Sequence, residues 1–332
     1  MIRKLLRGRP GRLCLKPLAA FALAAAPAAF AQEVPTGTEV TAPGPQGNLA
    51  GTLIDPDAKA PLLLMIAGSG PTDRDGNNRL GVAGGPYRQL AEALAKRGVA
   101  TLRIDKRGMF GSAAAIPDPA RVTIADYAAD VRNWVDAARK RTGRACVWLL
   151  GHSEGGLVAL VAAQQPQGIC GVVLVSAAGR PLSAIMREQF RANPGNAPLL
   201  PQLLGLIDRM EAGKRTDVSS LPQPLPVIFS DAVQDFLIDE FRYDPARLAG
   251  SLTLPMLVAQ GERDIQVSVG DARALAAARP GAQLALIPAM THVLRLVDSD
   301  DRMLNIASYS NTRLPVAPAL VDAIAGFVTA KR

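Results

Sequence analysis

One short segment, residues 147–158, constrains this chain more than any other. Its sequence is VWLLGHSEGGLV: an apolar, β-favouring run leads into a Gly-x-Ser-x-Gly turn, and residues that suit a helix follow. This pattern is typical of a nucleophile elbow, a strained strand-to-helix turn that exposes a serine hydroxyl. The flanking glycines allow the strand and the helix to come close without a Cβ clash. The segment therefore predicts that Ser153 is a catalytic nucleophile.

A nucleophilic serine needs a base, and the chain contains only two histidines. His152 adjoins Ser153 in the turn, and neighbours in sequence point in different directions. His292 follows the apolar run that ends at Ile287, where a loop leaving a strand is predicted. In an α/β-hydrolase sheet the triad follows the chain order Ser, acid, His. His292 is therefore the predicted base.

The orienting acid is predicted in the loop that follows an apolar strand at residues 254–260. Asp264 is the preferred candidate, and Glu262 in the same loop is the alternative. The acid would hold the imidazole in one tautomer and stabilise the imidazolium ion. The three aspartates at 298, 300 and 301 follow the histidine and are interpreted as a solvated charge run.

An acyl-transfer site also needs backbone N–H donors for the developing oxyanion. The residue after the nucleophile, Glu154, is predicted to supply one donor. The second is predicted to be the Ser69 N–H, in the loop after an apolar strand at residues 61–67. An ordinary glycine turn at 68–70 is the alternative interpretation of this segment.

The loop that follows contains Asp, Asp and Asn at alternate positions, 73, 75 and 77, as calcium loops do. The sixth and twelfth positions, Asn78 and Gly84, lack the glycine and glutamate that an EF-hand loop requires. No metal site is therefore predicted here. The loop is interpreted as one braced by its carboxylates and Arg74, or as a solvated polar turn.

Taken together, these segments resemble the bacterial α/β-hydrolase family, in the esterase and serine-aminopeptidase-like group related to dienelactone hydrolases. The resemblance implies an α/β fold with a mostly parallel, doubly wound sheet and an inserted helical cap. Many such hydrolases carry His-Gly where this chain has Ala67-Gly68, so a side chain that often braces the oxyanion loop is absent. The motifs that carry the resemblance lie at residues 68–71, 73–77, 105–108, 151–156, 261–264 and 292.

The predicted organisation is a leader at 1–31, a core in two parts at 32–178 and 252–332, and a cap at 179–251. The segment between the core parts is rich in proline and is too long for an ordinary loop. Cap residues are expected to bind substrate, and six large apolar residues either line a pocket or bury the cap on the core. These six are Phe190, Met210, Phe229, Phe236, Leu237 and Phe241.

Residues 1–31 read as a signal peptide, with a basic start, a short apolar stretch and a small-x-small site ending at Ala31. The prediction is a periplasmic or secreted protein without a membrane anchor after cleavage. The chain has 37 Lys and Arg against 29 Asp and Glu, a net charge of +8. Six of those basic residues lie in the leader, so the mature charge of +2 gives no reason to expect nucleic acid as a partner.

Two cysteines remain after cleavage, Cys146 and Cys170, and each begins a predicted parallel strand. Neighbouring strands lie ~4.8 Å apart, close to the separation that a disulfide prefers, and an oxidising compartment permits the bond. A disulfide is one possibility, and two buried thiols are the favoured one.

The predicted function is cleavage of a small carboxylic ester through an acyl-enzyme on Ser153, without cofactor or metal. With two histidines, a zinc site built on histidine ligands is hard to assemble. The first alternative is a serine aminopeptidase or amidase, whose free-amine substrate would be held by cap carboxylates. The more distant alternative is a non-catalytic binding protein. The candidate cap carboxylates are Glu211, Asp231, Asp235, Asp239 and Glu240.

Overall fold

A computed structural model describes residues 37–79, 81–118, 121–223 and 225–330. The predicted leader, 1–31, and its cleavage site lie outside the described residues.

Eight strands form one sheet in the spatial order β1-β2-β4-β3-β5-β6-β7-β8. The antiparallel strands β1 and β2 form a hairpin at one edge, and the neighbours from β4 to β8 are parallel. The predicted α/β fold with a mostly parallel sheet is confirmed. The strands are β1 (Thr38–Pro43), β2 (Asn48–Ile54), β3 (Leu62–Ile66), β4 (Ala100–Ile104), β5 (Val147–His152), β6 (Ile169–Val175), β7 (Met256–Gly261) and β8 (Gln283–Ile287).

Eleven α-helices are found in the described ranges, together with 3₁₀ turns at Phe110–Ala115 and Pro194–Leu199. They are α1 (Pro86–Ala95), α2 (Ile124–Thr142), α3 (Glu154–Ala163), α4 (Leu182–Ala192), α5 (Leu200–Glu211), α6 (Leu225–Ile228), α7 (Asp231–Glu240), α8 (Pro245–Gly250), α9 (Val269–Ala278), α10 (Arg302–Ala307) and α11 (Pro318–Ala330).

Both faces of the sheet are buried, which explains why its central strands are apolar at every position rather than at alternate ones. Along β5, Trp148 and Leu150 pack with α1 and α11 on one face. Val147 and Leu149 pack with α2, α3 and α9 on the other. The motif-bearing loops leave the carboxyl ends of these strands, where ligands bind in open α/β sheets.

The segment predicted as the cap contains α4 to α8, which lie between β6 and β7. It has an apolar cluster of its own, which includes Met210, Phe229 and Phe241, and Phe190 and Leu237 pack against that cluster. The sixth apolar candidate, Phe236, contacts the ring of Tyr127 in α2. These six residues therefore bury the cap against itself and against the core.

Cys146 and Cys170 are joined by a disulfide, with their Cα atoms 5.2 Å apart. The favoured expectation of two free thiols is therefore wrong for this structure. Val147 and Trp148 of β5 pair with Ile169 and Gly171 of β6, and Cys170 lies at the irregularity between those partners. That local shift in register brings the two sulfurs together. None of the helices in the described ranges combines the length and apolar character needed to span a bilayer.

Candidate active site

Ser153 lies at the sharp turn between β5 and α3, with φ 54° and ψ −123°. This backbone conformation is strained for a residue with a side chain, and such strain is a feature of nucleophile elbows. The glycines around the turn are required by close packing. A Cβ on Gly151 would overlap the backbone of Gly155, and a Cβ on Gly155 would overlap the carbonyl of Ile66.

His292 and Asp264 form a hydrogen-bonded pair, in which Nδ1 of the ring lies 2.8 Å from Oδ2 of the carboxylate. The Asp264 side chain is fully buried, and its other oxygen accepts the N–H groups of Gln266 and Val267 at 2.8 and 2.9 Å. Burial opposes ionisation of Asp264. The adjacent His292 ring and the hydrogen bonds nevertheless lower its pKa below the usual range. Asp264 is thus held as a carboxylate, and it fixes the orientation of the ring.

The structure brings Ser153, Ser69 and His292 to the walls of one cavity of about 100 Å³. The other acidic candidates lie elsewhere: Glu262 is exposed, Asp300 is paired with Arg263, and Asp301 caps α10.

The two residues predicted to supply oxyanion donors, Ser69 and Glu154, line the same cavity as Ser153. Among the described residues, no backbone or side-chain acceptor is found for the N–H of Ser69 or of Glu154. Glu154 is the first residue of α3, where backbone N–H groups have no partner within the helix. Both residues line a second cavity that also contains Ser153. The arrangement therefore leaves two N–H groups available to a ligand beside the serine.

His152, set aside as a base, has a structural role that the sequence did not indicate. Its Nε2 lies 2.8 Å from the carbonyl oxygen of His292, and its Nδ1 lies 2.8 Å from the hydroxyl of Tyr87. Burial and the neighbouring His292 ring lower the pKa of His152 to about 3, so this ring is neutral. The carbonyl oxygen of His292 can only accept a hydrogen bond, so Nε2–H of His152 is the donor to it, and Nδ1 of His152 accepts a hydrogen bond from the Tyr87 hydroxyl.

Tyr87 extends this chain of hydrogen bonds to the oxyanion loop, because its oxygen accepts the Gly68 N–H at 3.2 Å. Lys106 holds the other side of the same glycine, donating to the Gly68 carbonyl at 2.7 Å and to the Glu154 carboxylate at 3.2 Å. Tyr87 and Lys106 therefore hold the oxyanion loop at Gly68, next to Ala67, where many related hydrolases use a histidine side chain. The sequence pointed to Lys106 only as part of residues 105–108, one of the segments that carry the resemblance, and gave it no role.

The loop at 73–77 is braced largely by Asp73, which accepts the N–H groups of Asp75 and Asn77. Arg74 instead pairs with Asp105 and with an exposed glutamate of β1, so the expected bracing of Arg74 by its neighbours is wrong. Among the described residues, no group of three or more His, Cys, Asp or Glu side chains is placed to hold a metal ion.

The second cavity, of about 220 Å³, lies between the core and the cap. Ser69, Ser153 and Glu154 form its floor on the core side. Cap residues from α4, α7 and α8 line the opposite side, among them Ile185 and Glu240. Of the five cap carboxylates considered above, only Glu240 lines this cavity. The other four are bound by arginines or, in one case, by a backbone N–H.

Comparison with known proteins finds similarity to hydrolases over part of the chain. The sequence profile of the serine aminopeptidase S33 family matches residues 78–221, a range that includes the elbow but not Asp264 or His292. Esterase EstD of Thermotoga maritima is 28% identical over 217 residues, which are 64% of this chain and 48% of that protein. The chain thus spans about half the length of this curated relative.

Solved structures similar in fold include Est1E from Butyrivibrio proteoclasticus bound to ferulic acid, with a TM-score of 0.53 and 21% identity. That match covers 82% of this chain and 96% of the other. The esterase Pf2001 of Pyrococcus furiosus has a TM-score of 0.53 and 16% identity, with 89% and 92% of the two chains covered. At these identities the likeness concerns the fold.

The strained serine turn, the sheet order and these matches show the α/β-hydrolase fold. Over the matched residues, the chain is similar to the serine aminopeptidase S33 family and to an esterase.

Proposed function

We propose that this protein is a serine hydrolase that cleaves small carboxylic esters, with Ser153 as nucleophile, His292 as base and Asp264 as the orienting acid. The observation that carries the proposal is the Asp264–His292 hydrogen bond, at 2.8 Å, beside a strained and accessible serine. Two free backbone N–H groups, of Ser69 and Glu154, lie at the same serine and would bind the oxyanion.

In the proposed reaction, His292 removes the Ser153 proton as the hydroxyl oxygen attacks the ester carbonyl carbon. The resulting oxyanion accepts the Ser69 and Glu154 N–H groups. The imidazolium, stabilised by Asp264, then gives its proton to the departing alcohol. Water, deprotonated by His292, then attacks the carbonyl carbon of the acyl-enzyme. The bond from that carbon to Ser153 Oγ breaks as the acid leaves, and His292 returns the proton to Ser153.

The two cavities beside Ser153 suit the two halves of an ester. The alcohol must leave next to His292, which protonates it, so the smaller cavity that His292 lines is assigned to the alcohol. His292 is absent from the lining of the larger cavity under the cap, which is assigned to the acyl group. Its volume of about 220 Å³ is suited to a short acyl chain.

A serine aminopeptidase is the second candidate, because the matching family profile carries that description. Most cap carboxylates argue against it: Asp235 and Glu211 are bound by Arg215 and Arg187, and Asp239 accepts the Ile124 N–H. The curated relative is named an esterase, which favours the ester.

Export is a further part of the proposal, with cleavage after Ala31 and a periplasmic or secreted mature protein. The disulfide between Cys146 and Cys170 supports it, because such bonds persist in oxidising compartments. N-terminal sequencing of protein recovered from the periplasm or medium tests this. We expect Gln32 as the first residue, and an intact Met1 would contradict export.

Two measurements test the activity. A fluorophosphonate probe should label the wild-type protein and leave S153A unlabelled, because the reaction requires an activated serine. Turnover of p-nitrophenyl acetate, compared with that of an aminoacyl p-nitroanilide, decides between ester and amide. Labelling of both proteins, or turnover of the anilide alone, would contradict the proposal.

A further inference from the structure

The cavity assigned to the acyl group contains a buried carboxyl that the proposed reaction does not use. Glu240, at the end of α7, is 5% exposed and lines the cavity together with Ser153. Its carboxyl group borders the cavity, and none of the hydrogen bonds found within the described residues involves it. A ligand that displaces water from this carboxyl is favoured when it replaces the lost hydrogen bonds with its own.

Near Glu240, negative groups outnumber the one nearby ammonium group. Glu154 lies on the floor of the same cavity and is paired with Lys106 at 3.2 Å, and Lys106 also donates to the Gly68 carbonyl. Two buried carboxyl groups therefore share one ammonium group. Burial, followed by the negative charge of Glu154, raises the pKa of Glu240 well above its usual range. A protonated carboxyl both donates and accepts hydrogen bonds.

We propose that Glu240 determines acyl specificity by hydrogen bonding a hydroxyl group on the acyl chain, so that esters of short hydroxylated acids are preferred over unsubstituted ones. The inference rests on the proposed esterase function and names the substrate class of the same site. The remaining cavity wall includes Leu157, Leu182 and Ile185, which would hold the carbon chain.

Other acyl groups fit this environment less well. An unsubstituted chain displaces water from Glu240 and offers no hydrogen bond in return. A carboxylate on the chain meets the negative charge of Glu154, and Arg180, which also lines the cavity, is already paired with Asp271 and Glu188. An ammonium group lies near Lys106 and requires Glu240 to ionise in a buried site. A hydroxyl group, which is neutral and both donates and accepts, satisfies Glu240 in its protonated form.

The test compares two esters that differ by one hydroxyl group, ethyl butanoate and ethyl 3-hydroxybutanoate, by acid release at constant pH. For wild-type protein, the hydroxylated ester should have a kcat/KM larger by about tenfold or more, since a site built around a hydroxyl discriminates strongly against its absence. E240Q, which still donates and accepts, should keep this preference within about threefold. E240L should reduce the ratio about tenfold, to near one.

D235N is the matched control, because it removes a cap carboxylate that is paired with Arg215 outside the cavity. Its ratio of the two kcat/KM values should equal that of the wild type. A wild-type ratio near one, or a ratio unchanged in E240L, overturns the inference. A tenfold preference for ethyl 3-aminobutanoate over the hydroxylated ester overturns the hydroxyl assignment in favour of an ammonium group.

The result also separates this inference from the function on which it rests. Hydrolysis of both esters that S153A abolishes, with no preference between them, leaves the esterase proposal intact and overturns only the role of Glu240. Absence of turnover of both esters by wild-type protein overturns both. If E240L does not fold, which its melting temperature would reveal, the wild-type ratio still tests the inference, because a ratio near one overturns it.

Discussion

The two sides of Ser153 are built differently. On the His292 side, the groups that position the chemistry are buried and belong to the core: Asp264 is fully buried, and His152 and Tyr87 lie beneath the reacting ring. On the cap side, the ion pairs are largely exposed, as in the contacts of Arg187 with Asp208 and of Arg215 with Asp235.

Under the proposed function, the buried side would carry the reaction, and the cap side would select the substrate. Buried, fully partnered groups hold one geometry, because any change leaves a polar atom unsatisfied. Exposed ion pairs contribute little and tolerate substitution. Under the proposed function, we expect substitutions in the cap to alter the acyl group admitted, and substitutions among the buried core groups to alter the reaction itself. Glu240 is the exception, because it is a buried carboxyl on the cap side.

The largest expected effect tests the core side through D264N. The variant should lower kcat for p-nitrophenyl acetate by about 10⁴-fold, because an amide at this position favours the wrong tautomer of His292. Turnover is measured per mole of folded protein, because the fluorophosphonate probe itself requires an activated serine.

E262Q is the control for this prediction, since Glu262 lies in the same loop but is exposed. It should retain nearly wild-type turnover. A larger loss in E262Q than in D264N would show that the acid was assigned to the wrong residue.

The residues proposed to react could be named from the sequence because the chain order and the spacing of α/β-hydrolase motifs point to them. With two histidines in the chain, His292 was the one candidate base, and the loop after β7 offered two candidate acids, of which the structure pairs Asp264 with His292. Tyr87 was not predictable as a partner, since it reaches His152 across 65 residues of sequence. Glu240 was one of five cap acids, and only the packing of α7 separates it from the others.

The disulfide is a second feature that the sequence could not settle, because it depends on a register irregularity between β5 and β6 that no sequence pattern indicates.

The disulfide also provides the next prediction. Replacing both cysteines, as C146A/C170A, should lower the free energy of unfolding by about 3 kcal/mol through the entropy of the released 24-residue loop. Catalysis should be unaffected, because the bond lies at the opposite end of β5 from Ser153. Urea unfolding and kcat, measured on the same preparation, check both statements.

A bond present in solution also blocks alkylation of both thiols unless the protein is first reduced. Alkylation of the unreduced protein at these two positions, detected by mass, would contradict the disulfide.

His152 makes the core side sensitive to acid. Its pKa is about 3 in the folded protein, against 6.5 ordinarily, so only the unfolded chain takes up the proton between these values. Stability due to neutral His152 is therefore present above pH 6.5 and is lost as the pH falls towards 3. Between pH 7 and 4.5 the loss should be about 2–3 kcal/mol.

H152Q keeps a donor and an acceptor but does not titrate, so its stability should decline less over the same interval. Urea unfolding at the two pH values gives the comparison, and an equal decline in both proteins would contradict the assigned state of His152.

The smallest effect is expected on the cap side. R187Q removes ion pairs between α4 and α5 whose carboxylates, Asp208 and Glu211, are 67% and 40% exposed. It should lower the free energy of unfolding by about 0.5 kcal/mol, because solvent screens such pairs.

The core counterpart is R107Q, which leaves the buried Asp130 carboxylate without its partner and should lower the free energy of unfolding by about 3–5 kcal/mol. Equal losses in the two variants, measured by urea unfolding, would remove the distinction between a constrained core and a tolerant cap.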